Sequence, residues 1–464
     1  MKYRLPELEV PSDNPFLHDA LERKPLVEFL ASLIGRLEGP FVLALDSPWG
    51  TGKTTVVKML QAKLALELFQ CVYFNAWRVD YVADPLVALV SALDDIHLTD
   101  DRAESAFRGH LKTAKKITSA VAKRAVVAGV KAATLGILDI ESDLEKIAAD
   151  AAGEVAGNLV DAFQKEKQAL EKFRAEVEKA IAQLNAAGKK ETLVFFIDEL
   201  DRCRPTFAIE MLERIKHLFD VPNIVFVLSV DKSQLEASTS AVYGEKINAP
   251  EYLRRFIDIE YALPLPKGKK FTEALFARFS LDNIFAKRTH EQLRYDRQHF
   301  IEFFSLMADA THLSLRARER CLTRLVVVMD QTPENNFLFP PLVALLIVLR
   351  TSKPDLFAAL RSGTASATDV MVYLNKLPGG GEIVADRSGV ILEIGLVLAD
   401  ENRERKQLVL AELQKTAATE KVKQAPGRAA ELLSMTRYFE NFHSDGPRLG
   451  YILDKIDLAS GMQS

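Results

Sequence analysis

The amino-acid sequence predicts an α/β protein with a parallel β-sheet, a helical insertion and a helical C-terminal region. Three observations carry this prediction. Four short apolar runs have the length and composition of buried strands: residues 40–45, 71–74, 193–197 and 224–228. Helical patterns separate these runs, as expected when helices cover both faces of a parallel sheet. Beyond residue 266 the pattern is almost wholly helical.

Length and composition are those of a folded protein with two or three domains. The chain has 464 residues, of which 48% are hydrophobic and 27% charged, and this leaves little room for global disorder. Its 60 basic and 64 acidic side chains give a formal net charge of −4, which argues against a protein that coats nucleic acid. The three widely spaced cysteines exclude a disulfide scaffold or a zinc ribbon and fit a reducing cytosol.

No segment is expected to be exported or to cross a membrane. The N-terminal residues have no apolar signal-peptide core. The apolar, charge-free residues 335–349 contain two prolines and are fewer than the roughly 20 that a spanning helix needs. The predicted location is therefore cytoplasmic.

The first predicted strand leads into the sharpest motif in the sequence. A helix is predicted from Thr54 to about Leu68, so the motif lies between the end of a strand and the start of a helix. A phosphate-binding loop requires this context. We expect a nucleotide to contact nine consecutive residues: Ser47, Pro48, Trp49, Gly50, Thr51, Gly52, Lys53, Thr54 and Thr55.

The residue types in this loop suit phosphate. Gly50 and Gly52 let backbone N–H groups converge on phosphate oxygens, and the helix N-terminus adds a partial positive charge. Lys53 is expected to reach the β- and γ-phosphates, and the Thr54 hydroxyl to bind Mg²⁺. Ser47 stands where such loops usually have a leading glycine, but this departure removes no charged group.

The interval between the second and third predicted strands is unusually long. Residues 114–138 are apolar and rich in small side chains, but lysines and an arginine interrupt them. Residues 158–185 carry apolar side chains at spacings of three, four and seven, as one face of a long helix requires. One interpretation is an amphipathic hairpin packed on its own domain. The other is a helix for self-association or for a membrane surface.

The third predicted strand ends in adjacent carboxylates. A carboxylate at the end of a buried strand is costly unless it has a partner or a task. Asp198 fits a second Mg²⁺ contact, through water, and Glu199 fits the general base that polarises the attacking water. The alternative is a cluster that caps the helix near Thr206, with Asp201 and Arg202 simply paired with each other.

Further candidate residues follow these strands. Ser229, with Asp231 at the end of the fourth strand, is expected either to sense the γ-phosphate and the attacking water or to form a turn. Arg254 and Arg255 fit a trans arginine finger or an ordinary surface ion pair. Arg316, at the start of a helix in the C-terminal region, is a candidate second sensor for the γ-phosphate.

The C-terminal half predicts four helices, at residues 271–284, 296–310, 313–329 and 340–349. A flexible break is predicted at Pro378-Gly-Gly-Gly381. The expected domains are a P-loop core, a helical insertion, a lid-like helical region and a mixed, mainly helical C-terminal region. Their residues are, in that order, 1–85 with 190–266, 86–189, 267–377 and 378–464.

Taken together, these motifs resemble the KAP family of P-loop NTPases, in the AAA+/STAND branch of the additional-strand class. The resemblance covers about residues 10 to 320. The Phe-Asn-Ala-Trp and Asp-Glu-Leu-Asp-Arg-Cys motifs are its most specific parts. The matching segments are Trp49–Thr54, Phe74–Trp77, Ile197–Pro205, Ile215–Phe219 and Tyr252–Phe256.

The resemblance implies a parallel-sheet P-loop NTPase fold of AAA+/STAND type, with ATP and Mg²⁺ as ligands and ATP hydrolysis as the reaction. Many members carry transmembrane helices between the phosphate loop and the acidic motif. The lysine-interrupted segment here argues instead for a cytosolic or peripherally attached member. Bacterial members are associated with phage exclusion and antiviral defence, and the absence of repeats favours that type. AAA+-like sites often lie at subunit interfaces, which implies a homo-oligomer.

Three functions therefore remain open at the sequence level. The first is an ATPase whose turnover drives remodelling or defence signalling. The second is a scaffold that holds nucleotide, turns over slowly and acts through a partner effector protein. The third, a motor or loader on nucleic acid, has less support because no basic and aromatic stacking surface stands out.

Overall fold

The computed structural model describes residues 5–6, 8–37, 39–127, 154–218, 220–264, 268–334, 336–422, 427–442 and 448–457. It divides into two compact units. We call Leu8–Leu265 the sheet unit, and Met1–Glu7 with Pro266–Ser464 the helical unit. In the described part of the chain, no helix is long and apolar enough to cross a membrane.

The sheet unit is built on five parallel strands in the order β2-β3-β4-β1-β5. They are β1 Phe41–Asp46, β2 Gln70–Asn75, β3 Leu193–Asp198, β4 Ile224–Val230 and β5 Ile259–Ala262. The four predicted strands and their parallel arrangement are confirmed. The strand β4 lies between β1 and β3. Ser229, on β4, therefore lies between the strand that leads into the phosphate loop and the strand that ends in the acidic motif. In register, Ser229 lies opposite Leu45 on one side and Asp198 on the other.

Two hydrophobic cores cover the faces of this sheet. Alternate side chains of a strand point to opposite faces, so Val42 and Ala44 join one core while Leu43 and Leu45 join the other. Helices α1 and α2 pack on the second core, and α3 to α8 on the first. Their bounds are α1 Lys24–Ile34, α2 Lys53–Leu66, α3 Pro85–Ala92, α4 Asp101–Val127, α5 Glu154–Ala186, α6 Pro205–Leu218, α7 Lys232–Tyr243 and α8 Ala249–Leu253.

Helices α4 and α5 form the inserted hairpin. They pack on each other, and buried Phe107 and Leu111 of α4 meet Phe173 and Val177 of α5 in the same core as the sheet. For the described residues this confirms the interpretation of an amphipathic hairpin packed on its own domain. Residues 128–138 of the apolar segment considered above lie outside the described residues.

The helical unit has twelve described α-helices around one hydrophobic core, which includes Phe300, Leu345 and Ile452. Every residue from Pro340 to Leu349 is buried, so the charge-free apolar stretch is a core helix. The helices are α9 Lys269–Phe279, α10 Leu281–Ala286, α11 Asp296–Ala310, α12 Leu315–Asp330, α13 Pro340–Ser352, α14 Pro354–Arg361, α15 Ala367–Asn375, α16 Gly380–Ala385, α17 Arg387–Ala399, α18 Arg403–Val422, α19 Arg428–Phe442 and α20 Leu449–Asp457.

Three local features differ from the sequence prediction. The edge strand β5 was not predicted, because it is short and largely exposed. The single helix expected at 271–284 is two helices, since Ser280 has a left-handed backbone with a φ of 59°. The break expected at Pro378-Gly-Gly-Gly381 contains the start of α16, and only its Gly380 is closely packed: a Cβ there would lie 1.9 Å from the Leu374 carbonyl oxygen. Glycine is needed there for close approach.

Candidate functional site

The phosphate loop follows β1 and ends at the first residue of α2. Gly50 and Gly52 have φ values of 78° and 90°, a left-handed conformation that favours glycine. Gly52 precedes Lys53, where α2 begins, and Thr55 lies in the first turn of this helix. The strand, loop and helix that the motif predicts are therefore present in that order.

Ser47 braces the loop. Its buried hydroxyl donates to Thr51 Oγ1 at 2.7 Å, and Thr51 Oγ1 donates to the carbonyl oxygen of Pro48 at 2.9 Å. The backbone N–H of Ser47 donates to the Val230 carbonyl oxygen at 3.1 Å. The residue that replaces the usual leading glycine thus contributes hydrogen bonds to the loop.

Lys53 lies inside the loop. Its Nζ donates to the carbonyl oxygen of Ser47 and, at 3.3 Å, to that of Pro48. Burial lowers the pKa of Lys53, because a desolvated ammonium is costly. Four nearby carboxylates act in the opposite direction, namely Asp201, Asp231, Asp198 and Asp46.

Asp198 connects the acidic motif to the loop. Its Oδ2 accepts hydrogen bonds from Thr54 Oγ1 at 2.8 Å and from the Tyr73 hydroxyl at 2.9 Å. Its Oδ1 accepts from the backbone N–H of Glu199 at 3.0 Å. Burial raises the pKa of Tyr73, and the charge of Asp198 raises it further. The predicted Mg²⁺ residues, Thr54 and Asp198, are therefore in direct contact.

Glu199 is held by side chains on both of its oxygens. Its backbone is left-handed, with a φ of 61°. Oε2 accepts a hydrogen bond from Asn75 Nδ2 at 2.9 Å, and Oε1 forms an ion pair with Arg202 Nη1 at 2.5 Å. The Arg202 guanidinium also lies 5.7 Å from the centre of the Trp77 ring.

Asp201 belongs to the acidic motif, and its buried side chain contacts the phosphate loop. Its Oδ2 accepts from Trp49 Nε1 at 2.5 Å and from the Asp231 backbone N–H at 3.0 Å. The interpretation that Asp201 and Arg202 are simply paired is therefore wrong. Asp201 faces the loop, whereas Arg202 faces Glu199, because adjacent residues of the turn Leu200–Arg202 point in different directions.

Ser229 is fully buried between the two motifs. Its Oγ is inaccessible to solvent and has no hydrogen-bond partner among the described residues. Buried hydroxyls usually have a partner, so an unsatisfied one is typical of a group that meets a ligand or water. Asp231, close by, accepts from the Ser233 hydroxyl at 2.7 Å.

The three candidate arginines are exposed. Arg254 is exposed and pairs with Glu251 at 2.9 Å, and exposed Arg255 lies 5.8 Å from the centre of the Tyr252 ring. Arg316 is exposed in the first turn of α12, in the helical unit. Within the described residues, the sheet unit brings together the phosphate loop, Asp198, Glu199, Asp201 and Ser229.

Sequence reasoning missed two polar residues of the site, Tyr73 and Asn75. Both lie on β2, and Asn75 is in register with Asp198. The available signal was position, since Asn75 ends a predicted strand and the carboxyl ends of parallel strands meet at one edge of the sheet.

The donor set fits a nucleotide that carries a divalent cation. Hydroxyl and carboxylate oxygens are the ligands that Mg²⁺ prefers, and it usually shares them with substrate phosphates. Thr54 and Asp198 supply such oxygens beside Lys53. Among the described residues, no group of three or more His, Cys, Asp or Glu side chains could hold a metal by itself.

Comparison with known proteins identifies a family. The model of the "KAP family P-loop domain" matches residues 23–331. No curated protein sequence matches the chain. Among solved structures, the ORC2 protein of Aeropyrum pernix, described as ADPNP and ADP complexes, is 14% identical and superposes with a TM-score of 0.36. That alignment covers 93% of this chain and 97% of the other, and a likeness of this degree carries no argument about function.

Proposed function

The chain belongs to the KAP family of P-loop domains, and from that premise we propose that it binds ATP with Mg²⁺ and hydrolyses the ATP to ADP and phosphate. One observation carries the proposal. Thr54 Oγ1 lies 2.8 Å from Asp198 Oδ2, at the base of a phosphate loop whose lysine is buried beside them. The loop supports nucleotide binding, and the carboxylates support the proposed metal and hydrolysis.

The loop binds the phosphates. Lys53 supplies a cation for the β- and γ-phosphates, and the backbone N–H groups around Gly50 and Gly52 supply donors. Mg²⁺, when bound with the nucleotide by Thr54 and Asp198, neutralises phosphate charge. The excess of carboxylates around Lys53 suits a ligand that brings its own cation.

Glu199 and Ser229 carry the chemistry. Glu199 accepts a proton from the attacking water, because it is the one carboxylate of the motif that is only half-buried and lies next to Asp198. The unsatisfied Ser229 hydroxyl lies between the two motifs, where it orients the water or a γ-phosphate oxygen.

A slow-turnover, nucleotide-gated scaffold is the second candidate, and the contacts of Glu199 favour it. Asn75 and Arg202 each bind one carboxylate oxygen, and the two contacts restrain the orientation in which Glu199 can approach the attacking water. If these contacts limit the rate, Asn75→Ala should turn over faster than the parent in single-turnover measurements. A slower Asn75→Ala variant would contradict the restraint.

The substitution Glu199→Gln tests hydrolysis. It keeps the shape of the side chain and removes the base, so turnover should fall at least about a hundredfold while ATP affinity is retained. Glu260→Gln is the matched control, since Glu260 pairs with Lys232 at 2.6 Å outside the site. Unchanged turnover of Glu199→Gln on gel-filtered protein would remove Glu199 from the mechanism.

The same assay tests the nucleic-acid function. Hydrolysis that rises with double-stranded DNA supports a motor or loader, and hydrolysis that does not respond supports the other two functions. A cytoplasmic location, a homo-oligomer, a partner effector and a role in phage exclusion are further proposals from the family resemblance. Peripheral contact with a membrane is the alternative to a purely cytosolic location.

A further inference from the structure

We propose that Asp201 is a positioning residue that holds the tip of the phosphate loop through Trp49. This inference rests on the proposed function, because it assigns a task in nucleotide binding to a carboxylate of the same site. Asp201 acts through the loop and touches neither the phosphates nor the attacking water in this assignment.

The contacts of Asp201 join three segments of the sheet unit. Asp201 lies in the turn after β3, Trp49 in the loop after β1, and Asp231 directly after β4. A single oxygen, Oδ2, accepts from Trp49 Nε1 at 2.5 Å and from the Asp231 backbone N–H at 3.0 Å. The carboxylate therefore ties the loop to the two strands beside it.

Burial makes these hydrogen bonds important. Burial raises the pKa of Asp201, while the bond from Trp49, the charge of Lys53 and the bond from the Asp231 amide act in the opposite direction. A buried carboxylate costs free energy unless it accepts hydrogen bonds, and bonds to an ionised group are stronger than neutral ones. The Trp49 bond is thus a strong local restraint.

Trp49 needs such a restraint because packing does not supply it. Its side chain remains 45% exposed, and glycine follows it directly in the chain. A loop that is ordered before the ligand arrives loses less conformational entropy on binding, and its affinity is higher for that reason. The indole N–H bond to Asp201 would provide this order.

A double-mutant cycle on ATP affinity, measured by calorimetry, tests the proposal. Trp49→Phe and Asp201→Ala should each weaken ATP binding roughly tenfold, as loss of a hydrogen bond to a charged group predicts. The double variant should bind no worse than the weaker single variant, because both changes remove the same bond. Asp201→Asn should retain most of the affinity, because its amide oxygen still accepts both N–H groups.

Asp258→Ala is the matched control. Its carboxylate also accepts a backbone N–H in the sheet unit, from Val42 at 2.8 Å, but at the opposite end of β1 from the loop. This variant should keep the parental ATP affinity. A loss equal to that of Asp201→Ala would show that general weakening of the unit explains the effect, and would overturn the proposal.

Fluorescence gives a readout that a purely structural role would not change. The chain has two tryptophans, so Trp77→Phe leaves Trp49 as the single tryptophan, whose fluorescence can be excited selectively. In that background Asp201→Ala should shift the emission to the red, because the indole N–H then donates to water instead of to Asp201. Asp201→Asn should keep the parental emission. Emission that does not change in Asp201→Ala would overturn the proposal.

Two further results would also overturn it: parental affinity in Trp49→Phe, or fully additive losses in the double variant. Should Asp201→Ala fail to fold, Trp49→Phe still tests the proposal, since it empties no buried position. Lys53→Ala distinguishes failure of the proposed function from failure of the role proposed for Asp201. If it binds ATP like the parent, the proposed function fails; if it alone loses binding, only the role of Asp201 fails.

Discussion

Buried charge is arranged differently in the two units. In the helical unit, Arg288 and Asp296 form an ion pair at 3.1 Å with side chains only 2% and 4% exposed, and Arg288 also donates to the carbonyl oxygen of Asn336. Buried Lys455 donates to the carbonyl oxygen of Gln331 and lies 4.5 Å from the centre of the Tyr451 ring. Each of these three buried side chains has a partner within the unit.

In the site of the sheet unit, buried negative and positive charges are unequal in number. Three buried carboxylates, Asp198, Asp201 and Asp231, surround one buried cation, Lys53, and the hydroxyl of Ser229 has no partner. Burying an unbalanced charge or an unsatisfied hydroxyl costs free energy. The difference indicates that the buried charges named in the helical unit are balanced within the fold, whereas the carboxylates around Lys53 suit a site that binds a charged ligand.

Two buried lysines test this distinction most strongly. Lys53→Ala should abolish tight ATP binding, because no other cation in the loop can reach the β- and γ-phosphates, while the free energy of unfolding changes little. Lys455→Ala should lower the free energy of unfolding and leave ATP affinity unchanged. Calorimetry with ATP and urea unfolding of both variants measure the two effects. Parental ATP affinity in Lys53→Ala would show that the loop assignment is wrong.

The next largest effect concerns whether a neighbouring subunit completes the site. If Arg254 or Arg255 is a trans arginine finger, its replacement by alanine should lower turnover roughly a thousandfold or more. Activity per chain should rise with protein concentration. A mixture with Lys53→Ala should recover activity, because each variant then supplies the part that the other lacks.

Exposed Arg36 provides the control for this experiment, since Arg36→Ala removes a surface cation of the same unit. Turnover independent of concentration, together with no recovery in the mixtures, would reject the shared site. Arg254 would then be a surface residue paired with Glu251, as its 2.9 Å contact shows.

Ser229 tests the unsatisfied hydroxyl. Ser229→Ala should lower kcat roughly tenfold with little change in KM, because the hydroxyl is expected to act on the water or γ-phosphate in the transition state. Ser238→Ala removes a buried hydroxyl in α7 of the same unit and should leave kcat unchanged. Ser229 lies within β4, so the turn expected as its alternative role is not present. Equal kcat values for Ser229→Ala and the parent would remove Ser229 from the mechanism.

The smallest effect is a pH dependence of the helical unit. Burial raises the pKa of Asp296 to about 6, although Arg288 acts in the opposite direction. The folded chain therefore holds this proton more tightly than the unfolded chain. The stability that results is present below pH 4 and is lost as the pH rises through about 6.

Asp296→Asn cannot ionise, so its stability should rise relative to that of the parent by up to about 3 kcal/mol between pH 4 and pH 7. Urea unfolding across this range measures the difference. A constant difference between the two proteins would show that the Arg288–Asp296 pair does not titrate with folding. ATP affinity should not follow the same curve, since Asp296 belongs to the helical unit and the phosphate loop to the sheet unit.

The sequence alone determined the strands, the phosphate loop and the acidic motif. Each depends on local chemistry: apolar runs bury as strands, and Gly50, Gly52 and Lys53 specify a loop that suits phosphate over a few consecutive residues. The same reasoning placed Asp198, Glu199 and Ser229 at the ends of two predicted strands, and the ends of parallel strands meet at one edge of a sheet. It missed β5, whose short and exposed sequence gains its pairing from β1.

Only the tertiary structure decided which side chains meet. Asp201 and Arg202 are neighbours in sequence, yet one binds Trp49 and the other Glu199. Asn75 lies more than a hundred residues before Glu199 and reaches it only because β2 and β3 are adjacent. Sequence patterns report which face of an element is apolar, whereas polar partners depend on strand order and on the direction of each side chain after folding.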